Sequence, residues 1–427
     1  MKAIIMAGGK GTRVASIASD IPKSMIPICG KPILEHQIDC LKKNSLTDIT
    51  IVIGHLGRHI SDYFGNGSRF GCEISYFTET EPLGTAGALY KIKNSYDDFI
   101  LINGDIIFDI DFSRMTAFHK QKNAMVSLAV HPNNHPFDSA IIETNSNDQI
   151  TGWLNKEDKR TYYKNKVNAG IHIISGTFID NFPQSKEKID LDRDLLKPSI
   201  GSGLIFAYQT PEYIKDMGTP ERYTQASLDM ERGIVKQKNL NVRQKCVFLD
   251  RDGTINKFND FITSPDEFEL IDGVAEAIKR INSLGFLTIV ITNQPVIARG
   301  EVDFETLDLI HMKMETELGK HGAYIDDLFF CPHHPDRGFP GERQEYKINC
   351  DCRKPKPGMI LAAAEKYNID LSCSYMVGDD MRDVKAGIAA GCIPVLLKSN
   401  SEKSETIENV GNVRQFSNLL EFGESCL

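Results

Sequence analysis

The 427-residue sequence is poor in several features that would assign it to a familiar class. It contains no run of eighteen apolar residues, so no membrane span is expected. The opening MKAIIMAGGKG has an apolar stretch too short for the core of a signal peptide, and it runs directly into glycines. A cytoplasmic protein is the expectation. Basic residues are in deficit: 49 Lys and Arg against 58 Asp and Glu give a net charge of −9. No nucleic-acid partner is expected, because that needs a basic face, but local cations can still hold small anionic substrates. No internal repeat is visible. Of the ten cysteines, Cys29, Cys40, Cys72, Cys246, Cys373, Cys392 and Cys426 are scattered without a paired framework. They read as isolated thiols in a reducing compartment. Nothing in the sequence decides the oligomeric state, and a homo-oligomer is compatible with it.

What is present is a regular alternation. KAIIMAG, DITIVIG, FILING, MVSLAVH and GIHIIS read as strands in the first half, and CVFLD, LTIVITN, YMVGD and IPVLL in the second. Amphipathic stretches such as ILEHQIDCLKKN and GVAEAIKRINSLG lie between them. This spacing predicts βαβ units and mainly parallel sheets, hence an α/β fold class. The length allows two or three domains. The pattern restarts once, after the polar, basic stretch IVKQKNLNVRQK. The expected division is a domain over 1–232, a linker over 233–244, a second domain over 245–400 and a tail over 401–427 with a short helix.

In the first half, the strand AIIMA leads into Gly8, Gly9, Lys10, Gly11, Thr12 and Arg13. Glycines allow backbone N–H groups to approach an oxyanion closely. The spacing fits neither a dinucleotide fingerprint nor a Walker loop. PLGTAGAL supplies a second glycine loop, ILINGD ends a strand in Asp105, and YIKDMGTPERY places Asp216 before a turn. Carboxylates at strand ends beside a phosphate loop suit Mg²⁺ and a nucleotide. Glu81 can accept two hydrogen bonds from the N1–H and 2-amino edge of guanine.

The ordered set GGKGTR, PKSMIPICGKPIL, EPLGTAGAL, NGD and KDMGTPERY resembles the sugar-phosphate nucleotidyltransferases over residues 1 to 232. The resemblance implies that Gly8, Gly9, Gly11, Thr12 and Arg13 hold the triphosphate and that Lys23 neutralises charge near the α-phosphate. It implies Gly84 and Thr85 beside the base, Asp105 and Asp216 on Mg²⁺, Lys156 on the sugar phosphate, and Asn168 and Gly170 on the sugar. Arg13 and Lys23 would be the catalytic cations. This chain has Asn155-Lys156-Glu157 where the family often has Glu-Lys-Pro, so one carboxylate is missing.

The second half opens with CVFLDRDGTIN. Asp250 and Asp252 point to opposite faces while the strand is regular, and Gly253 lets the chain turn so that both reach one site. With Thr292, Lys354 and the GDDMRD run at Asp379, the order resembles the haloacid dehalogenase superfamily of phosphatases. The resemblance implies Asp250 as nucleophile, taking up the phosphoryl group as an acyl phosphate. Asp252 would be the acid and then the base. Thr292 and Lys354 would hold phosphate oxygens, and Asp250, Asp252 (through its carbonyl) and Asp379 would hold a second Mg²⁺. Cys331, His333, Cys350 and Cys352 form Cys-x-His, sixteen residues, Cys-x-Cys. Three thiolates and an imidazole suit a closed tetrahedral Zn²⁺ site, with His334 as the alternative ligand. FLDRDGTIN, TNQ, ARG, CPHHP and CDCRKPKPGM narrow the resemblance to the D-glycero-D-manno-heptose 1,7-bisphosphate 7-phosphatases, with the histidinol-phosphatases as near relatives. That implies Asn293, Arg299 and Arg353 as further substrate contacts. Pro295-Val296 follows TNQ where the heptose enzymes usually have Ser-Gly.

The two halves together predict two Rossmann-like three-layer α/β domains performing consecutive steps. A phosphatase would leave heptose 1-phosphate, and a nucleotidyltransferase would activate it, with GTP as the favoured nucleoside triphosphate and the α-anomer as the favoured sugar. The competing readings are a mannose- or other hexose-1-phosphate nucleotidyltransferase fused to an unrelated or histidinol-type phosphatase, and a chain in which one half only binds nucleotide-sugar.

Overall fold

A computed structural model describes the chain except for residues 10–19, 93–97, 183, 185, 259, 260, 339, 399–412 and 427. It divides into two compact units. The first comprises Met1–His131, Ala140–Asn155 and Lys166–Asn239, and the second Pro132–Ser139, Lys156–Asn165 and Leu240–Leu427. Among the described residues, no helix is long and apolar enough to cross a membrane.

The first unit is built on a mixed sheet. Strands Asp98–Asn103, Lys2–Met6, Asp48–Ile53 and Glu73–Thr78 lie side by side and parallel. Their side chains are almost wholly apolar (Ile4, Ile5, Ile51, Val52, Ile100 and Leu101 are buried), as strands covered on both faces require. Strand Val167–Ser175 runs antiparallel against Asp98–Asn103, and its far side pairs with Val126–His131. The sheet is therefore less parallel than the alternation of motifs predicts. Strands Glu73–Thr78, Ile141–Thr144, Ile150–Leu154 and Ile205–Gln209 escape sequence reading because they are short or partly polar.

The second unit has a single parallel sheet in the order Asp327–Cys331, Leu287–Asn293, Cys246–Leu249, Tyr375–Gly378, Ile393–Leu397, Arg414–Phe416. A wholly parallel sheet puts the C-terminal end of every strand at one edge, and ligands in such folds bind there. The final strand and the helix Leu419–Ser425 belong to this unit, with Leu419 and Phe422 buried in its core. The apolar period of VRQFSNLLEF reflects that packing. Part of the stretch read as a linker is helical as well: Ile234–Gln237 is a short helix whose Ile234 and Val235 are buried against Ile26, Ile28 and Tyr213 of the first unit.

Two candidate active sites

In the first unit, the parallel strands end together. Lys2–Met6 runs out into Gly8, while Asp48–Ile53 runs into Gly54. A methyl group on Gly8 would meet the carboxylate of Glu79, so the Glu79 side chain packs directly against this glycine. Glu79 is half-buried, and burial pushes its carboxyl up while a hydrogen bond from Leu83 N, 3.2 Å, holds it down. Glu81, by contrast, is exposed. The backbone N–H of Met217 donates to the carbonyl of Asp105 at 2.9 Å, and Asp216 is in register with Ile106 on the adjacent strand. The two predicted metal carboxylates, Asp105 and Asp216, therefore stand on neighbouring backbones. Each already has a cation: Lys23 Nζ is 2.5 Å from Asp105 Oδ2, and Arg222 Nη1 donates to both oxygens of Asp216 at 2.8 and 2.9 Å. The corner thus holds two carboxylates, each paired with its own cation.

Other predicted residues have local duties. Thr85 Oγ1 accepts from Leu191 N at 2.7 Å, and Gly84 adopts φ +82° hard against the Ile189 carbonyl. These two hold the turn into the helix Leu191–Leu196. Asn168 Oδ1 accepts from Gly170 N at 2.9 Å, and a methyl on Gly170 would strike the Asn103 amide, so Asn103 joins that corner. Gly9 has open space around it. Lys156 lies in the segment grouped with the second unit, exposed and 3.7 Å from Glu157. Gly11, Thr12 and Arg13 lie outside the described residues.

In the second unit, Asp250 follows Leu249 at the centre of the parallel sheet, Thr292 and Asn293 end the neighbouring strand, and Asp379 follows Gly378 on the other side. Carboxylate oxygens of Asp250, Asp379 and Asp383 lie within 4.8 Å of one another. A Cβ on Gly253, at φ +83°, would collide with Asp379, so the DxDG turn admits only glycine. Burial, with Asp250 next to it, pushes the Asp379 carboxyl up to about 7, and raises that of Asp383 by the same two causes. Three acids crowded within reach of one point form a set that fits a divalent cation. Bound there, such a cation would screen the charge between Asp250 and an incoming phosphate. Lys354 is the balancing group. It is buried, and its ammonium lies 2.7 Å from Asp250 and 2.6 Å from Asp383, with a third bond of 2.8 Å to the Ile291 carbonyl. Burial works against its charge, but Asp250 and Asp383 outweigh this and raise its pKa.

The Asp252 carboxylate is not part of that trio. Its carboxylate accepts from Arg251 Nε at 3.0 Å, Gln294 Nε2 at 2.9 Å and Asn256 Nδ2 at 3.1 Å. Arg251 is fully buried, and Gln294 also reaches Thr292 Oγ1 at 2.9 Å. Arg251 and Gln294 were not singled out by sequence reasoning, and Asp383, the last carboxylate of the GDDMRD run, was given no role. Asp383 had a signal, since it lies one helical turn beyond Asp379. Asn293 turns its amide onto the backbone of Lys354, donating to its carbonyl and accepting from its N–H, both at 3.0 Å. Arg299 stacks 4.2 Å from the centroid of the Phe261 ring. The Val296 departure is a packing matter: its side chain is buried with Ile297, Val302 and Leu307.

The cysteine cluster is assembled. Sulfur–sulfur separations among Cys331, Cys350 and Cys352 are 3.5, 3.3 and 3.2 Å, and His333 Nδ1 is 3.4 Å from Cys352. A tetrahedron with bonds of ~2.3 Å has edges of ~3.8 Å, so the group needs to open only slightly around Zn²⁺. Burial raises the Cys331 and Cys352 thiols, while hydrogen bonds from its neighbours leave Cys350 lowered despite burial. His334 accepts from Asp336 N at 3.3 Å and is outside the cluster. The Arg353 guanidinium donates to the His333 carbonyl at 3.0 Å, which ties it to the same loop.

Known proteins match along the same division. The nucleotidyl transferase family model matches residues 2–233, more than half of the chain, and a HAD-hydrolase-like model matches residues 351–420. The D-glycero-beta-D-manno-heptose-1,7-bisphosphate 7-phosphatase of Escherichia coli K12 is 41% identical over 170 residues, which is 39% of this chain and 85% of that protein. The protein of the same name from Yersinia pestis is 42% identical over 144 residues, 34% of this chain and 74% of that protein. Among solved structures, HddC from Yersinia pseudotuberculosis is 25% identical, covering 54% of this chain and 99% of that one with a TM-score of 0.48. The chain belongs to the nucleotidyl transferase family and, through its second half, to the HAD phosphatase family that these bisphosphate phosphatases represent. It is a two-activity enzyme, a nucleotidyltransferase joined to a phosphatase.

Proposed function

We propose that the chain carries out two consecutive steps of NDP-heptose synthesis. The second unit removes the 7-phosphate from D-glycero-D-manno-heptose 1,7-bisphosphate, and the first unit transfers GMP from GTP to the resulting heptose 1-phosphate. One observation carries this reading. The relatives that match the second unit are named for a sugar bisphosphate whose hydrolysis leaves a sugar 1-phosphate, and a nucleotidyl transferase on the same chain accepts that chemical class.

In the phosphatase step, Asp250 attacks phosphorus, and the ester P–O bond breaks. Asp252 gives its proton to the departing sugar oxygen. Water then attacks the acyl phosphate, Asp252 takes its proton back, and inorganic phosphate leaves. Lys354 and Thr292 hold the non-bridging oxygens, and Arg353 recognises the far end of the substrate. Asp250, Asp379 and the carbonyl of Asp252 hold Mg²⁺, and Cys331, His333, Cys350 and Cys352 hold Zn²⁺ as a structural ion. In the transferase step, an oxygen of the sugar 1-phosphate attacks the α-phosphorus, and pyrophosphate departs. Asp105 and Asp216 hold Mg²⁺ there. No protein bond to phosphorus forms, so Lys23 and the glycine loop contribute position and charge. Guanine is favoured because Glu79, half-buried against Gly8, offers a carboxylate to the N1–H and 2-amino edge.

The relatives are named for the β-anomer, whereas the GTP reading goes with the α-anomer. The test therefore uses both. Phosphate release is measured from α- and β-heptose 1,7-bisphosphate and from histidinol phosphate. Pyrophosphate release is measured for each common nucleoside triphosphate with heptose-, mannose- and glucose-1-phosphate. Preference for a hexose 1-phosphate together with histidinol phosphate would overturn the pathway reading, and preference for ATP would overturn the assignment to Glu79.

A further inference from the structure

The helix Leu191–Leu196 in the first unit begins with three carboxylates, Asp190, Asp192 and Asp194. Two of them are fully employed by the fold. Asp190 caps the helix, accepting from Arg193 N at 2.9 Å. Asp194 accepts from Asp190 N at 2.8 Å and pairs with Arg193 and Lys186. The electrostatic benefit of anions at a helix start is thereby supplied without Asp192. Among the described residues, the Asp192 carboxylate receives one hydrogen bond, from Asn168 Nδ2 at 3.4 Å, which is long for such a bond. The cation that acts on it, Lys197, spends a hydrogen bond on Asn155 Oδ1 at 2.6 Å. A half-buried carboxylate with so few donors is costly to keep, and fold maintenance gives no reason for it.

Its surroundings give one. Asn168 also holds Gly170, Gly170 lies against Asn103, and the Asn103 strand leads to Asp105. Asp192 therefore stands at the end of a continuous row that starts at the phosphate-handling corner. A carboxylate repels phosphate and accepts from hydroxyls, so the part of a sugar phosphate suited to lie beside it is the polyhydroxylated ring. Asn155 cannot play this part, because it carries no charge and its oxygen is taken by Lys197.

Resting on the proposed transferase function, we propose that Asp192 reads the sugar in that site, its carboxylate accepting hydrogen bonds from ring hydroxyls beside Asn168. Burial first, and Asp190 second, push its pKa up to about 6, with Lys197 opposing, which agrees with a carboxylate still short of donors.

The test uses the full-length chain with Asp192→Leu and Asp192→Asn, and follows pyrophosphate release against sugar 1-phosphate and against nucleoside triphosphate separately. The expected result for Asp192→Leu is a rise of at least tenfold in KM for the sugar 1-phosphate, with KM for the triphosphate within twofold and phosphate release from the second unit unchanged. Asp192→Asn should fall between the two. Mono-deoxy analogues supply the readout a structural role would not move. For one of them, the penalty seen in the wild type should largely vanish in Asp192→Leu. Equal increases in both KM values, or an undiminished penalty for every analogue, would overturn the assignment while leaving the transferase standing. A wild-type chain that releases no pyrophosphate with any sugar 1-phosphate would overturn both readings. A sugar other than heptose turning over normally would sink only the heptose assignment, and the Asp192 comparison is then read with that sugar. If the leucine variant does not fold, Asp192→Asn with intact phosphate release decides.

Discussion

Replacing Lys354 with methionine keeps the length of the side chain and removes its charge. In the native site, this ammonium is 3% exposed and lies 2.7 Å from Asp250 and 2.6 Å from Asp383. The substitution leaves two carboxylates without their cation in a water-poor place. Removing one side of a buried pair costs about 3–5 kcal/mol. With a urea slope of roughly 1–3 kcal/mol per molar, the metal-free midpoint of the second unit should fall by about 1–5 M. Saturating Mg²⁺ should restore part of this, because a divalent cation would again balance Asp250, Asp379 and Asp383. Turnover should suffer independently. A fixed cation aimed at the phosphoryl oxygens is comparable to one preorganised transition-state donor, the loss of which lowers kcat by about 10²–10³-fold. Phosphate release reads the effect, and pyrophosphate release by the first unit serves as the control for folding. If Lys354→Met retains phosphate release within about threefold of wild type, Lys354 is not a transition-state cation. If the metal-free midpoint is unchanged, the electrostatic balance described for the site is wrong.

Asp250→Asn should abolish phosphate release and leave pyrophosphate release intact, while Asp105→Ala should do the reverse; one substitution silencing both reactions in folded protein would contradict two independent centres. Metal analysis of freshly purified protein should find about one Zn per chain, the capacity of one tetrahedral Cys₃His set, and Cys350→Ser should lose it; zinc-free active protein would remove the structural role of the loop. The raised carboxyls give a pH signature. Because the folded pKa of Asp379, about 7, lies above the usual Asp value of ~3.9, the native metal-free protein holds protons that the unfolded chain has lost. Stability from this source is present below pH ~4 and declines as pH rises toward 7. In EDTA the second unit should therefore be more stable at pH 5 than at pH 7.5, a slope reduced in Asp383→Asn; the same slope in both proteins would place its origin elsewhere.

Much of the fold was legible because buried parallel strands are near-continuous Val, Ile and Leu runs. IVITN, CVFL and IIMA leave little choice. Strand Asp327–Cys331 was missed because DLFFC begins with a charge and lies half-buried at the sheet edge. The phosphatase carboxylates were readable because each directly follows an apolar run. Arg251 was not, since the middle residue of a DRD triplet looks like a spacer, and only the closed tertiary structure takes it out of water. Asp192 was hidden in an acidic run that resembles ordinary helix capping. Glu79 did not stand out beside Glu81 in the sequence, because two glutamates two residues apart look alike until the fold packs Gly8 against one of them.

The two-way grip of the Asn293 amide on the Lys354 backbone separates the placement of the active lysine from the shape of the long loop before it. With the lysine anchored to a core strand at one end and the cysteines closing the loop behind it, the exposed loop positions Pro335, Arg337, Gln344 and Glu345 can diverge, whereas His334 and Lys347 are buried within the loop. Insertions, deletions and new side chains could accumulate there without displacing the ammonium. That stretch is where variants with altered substrate range should be sought by library screening.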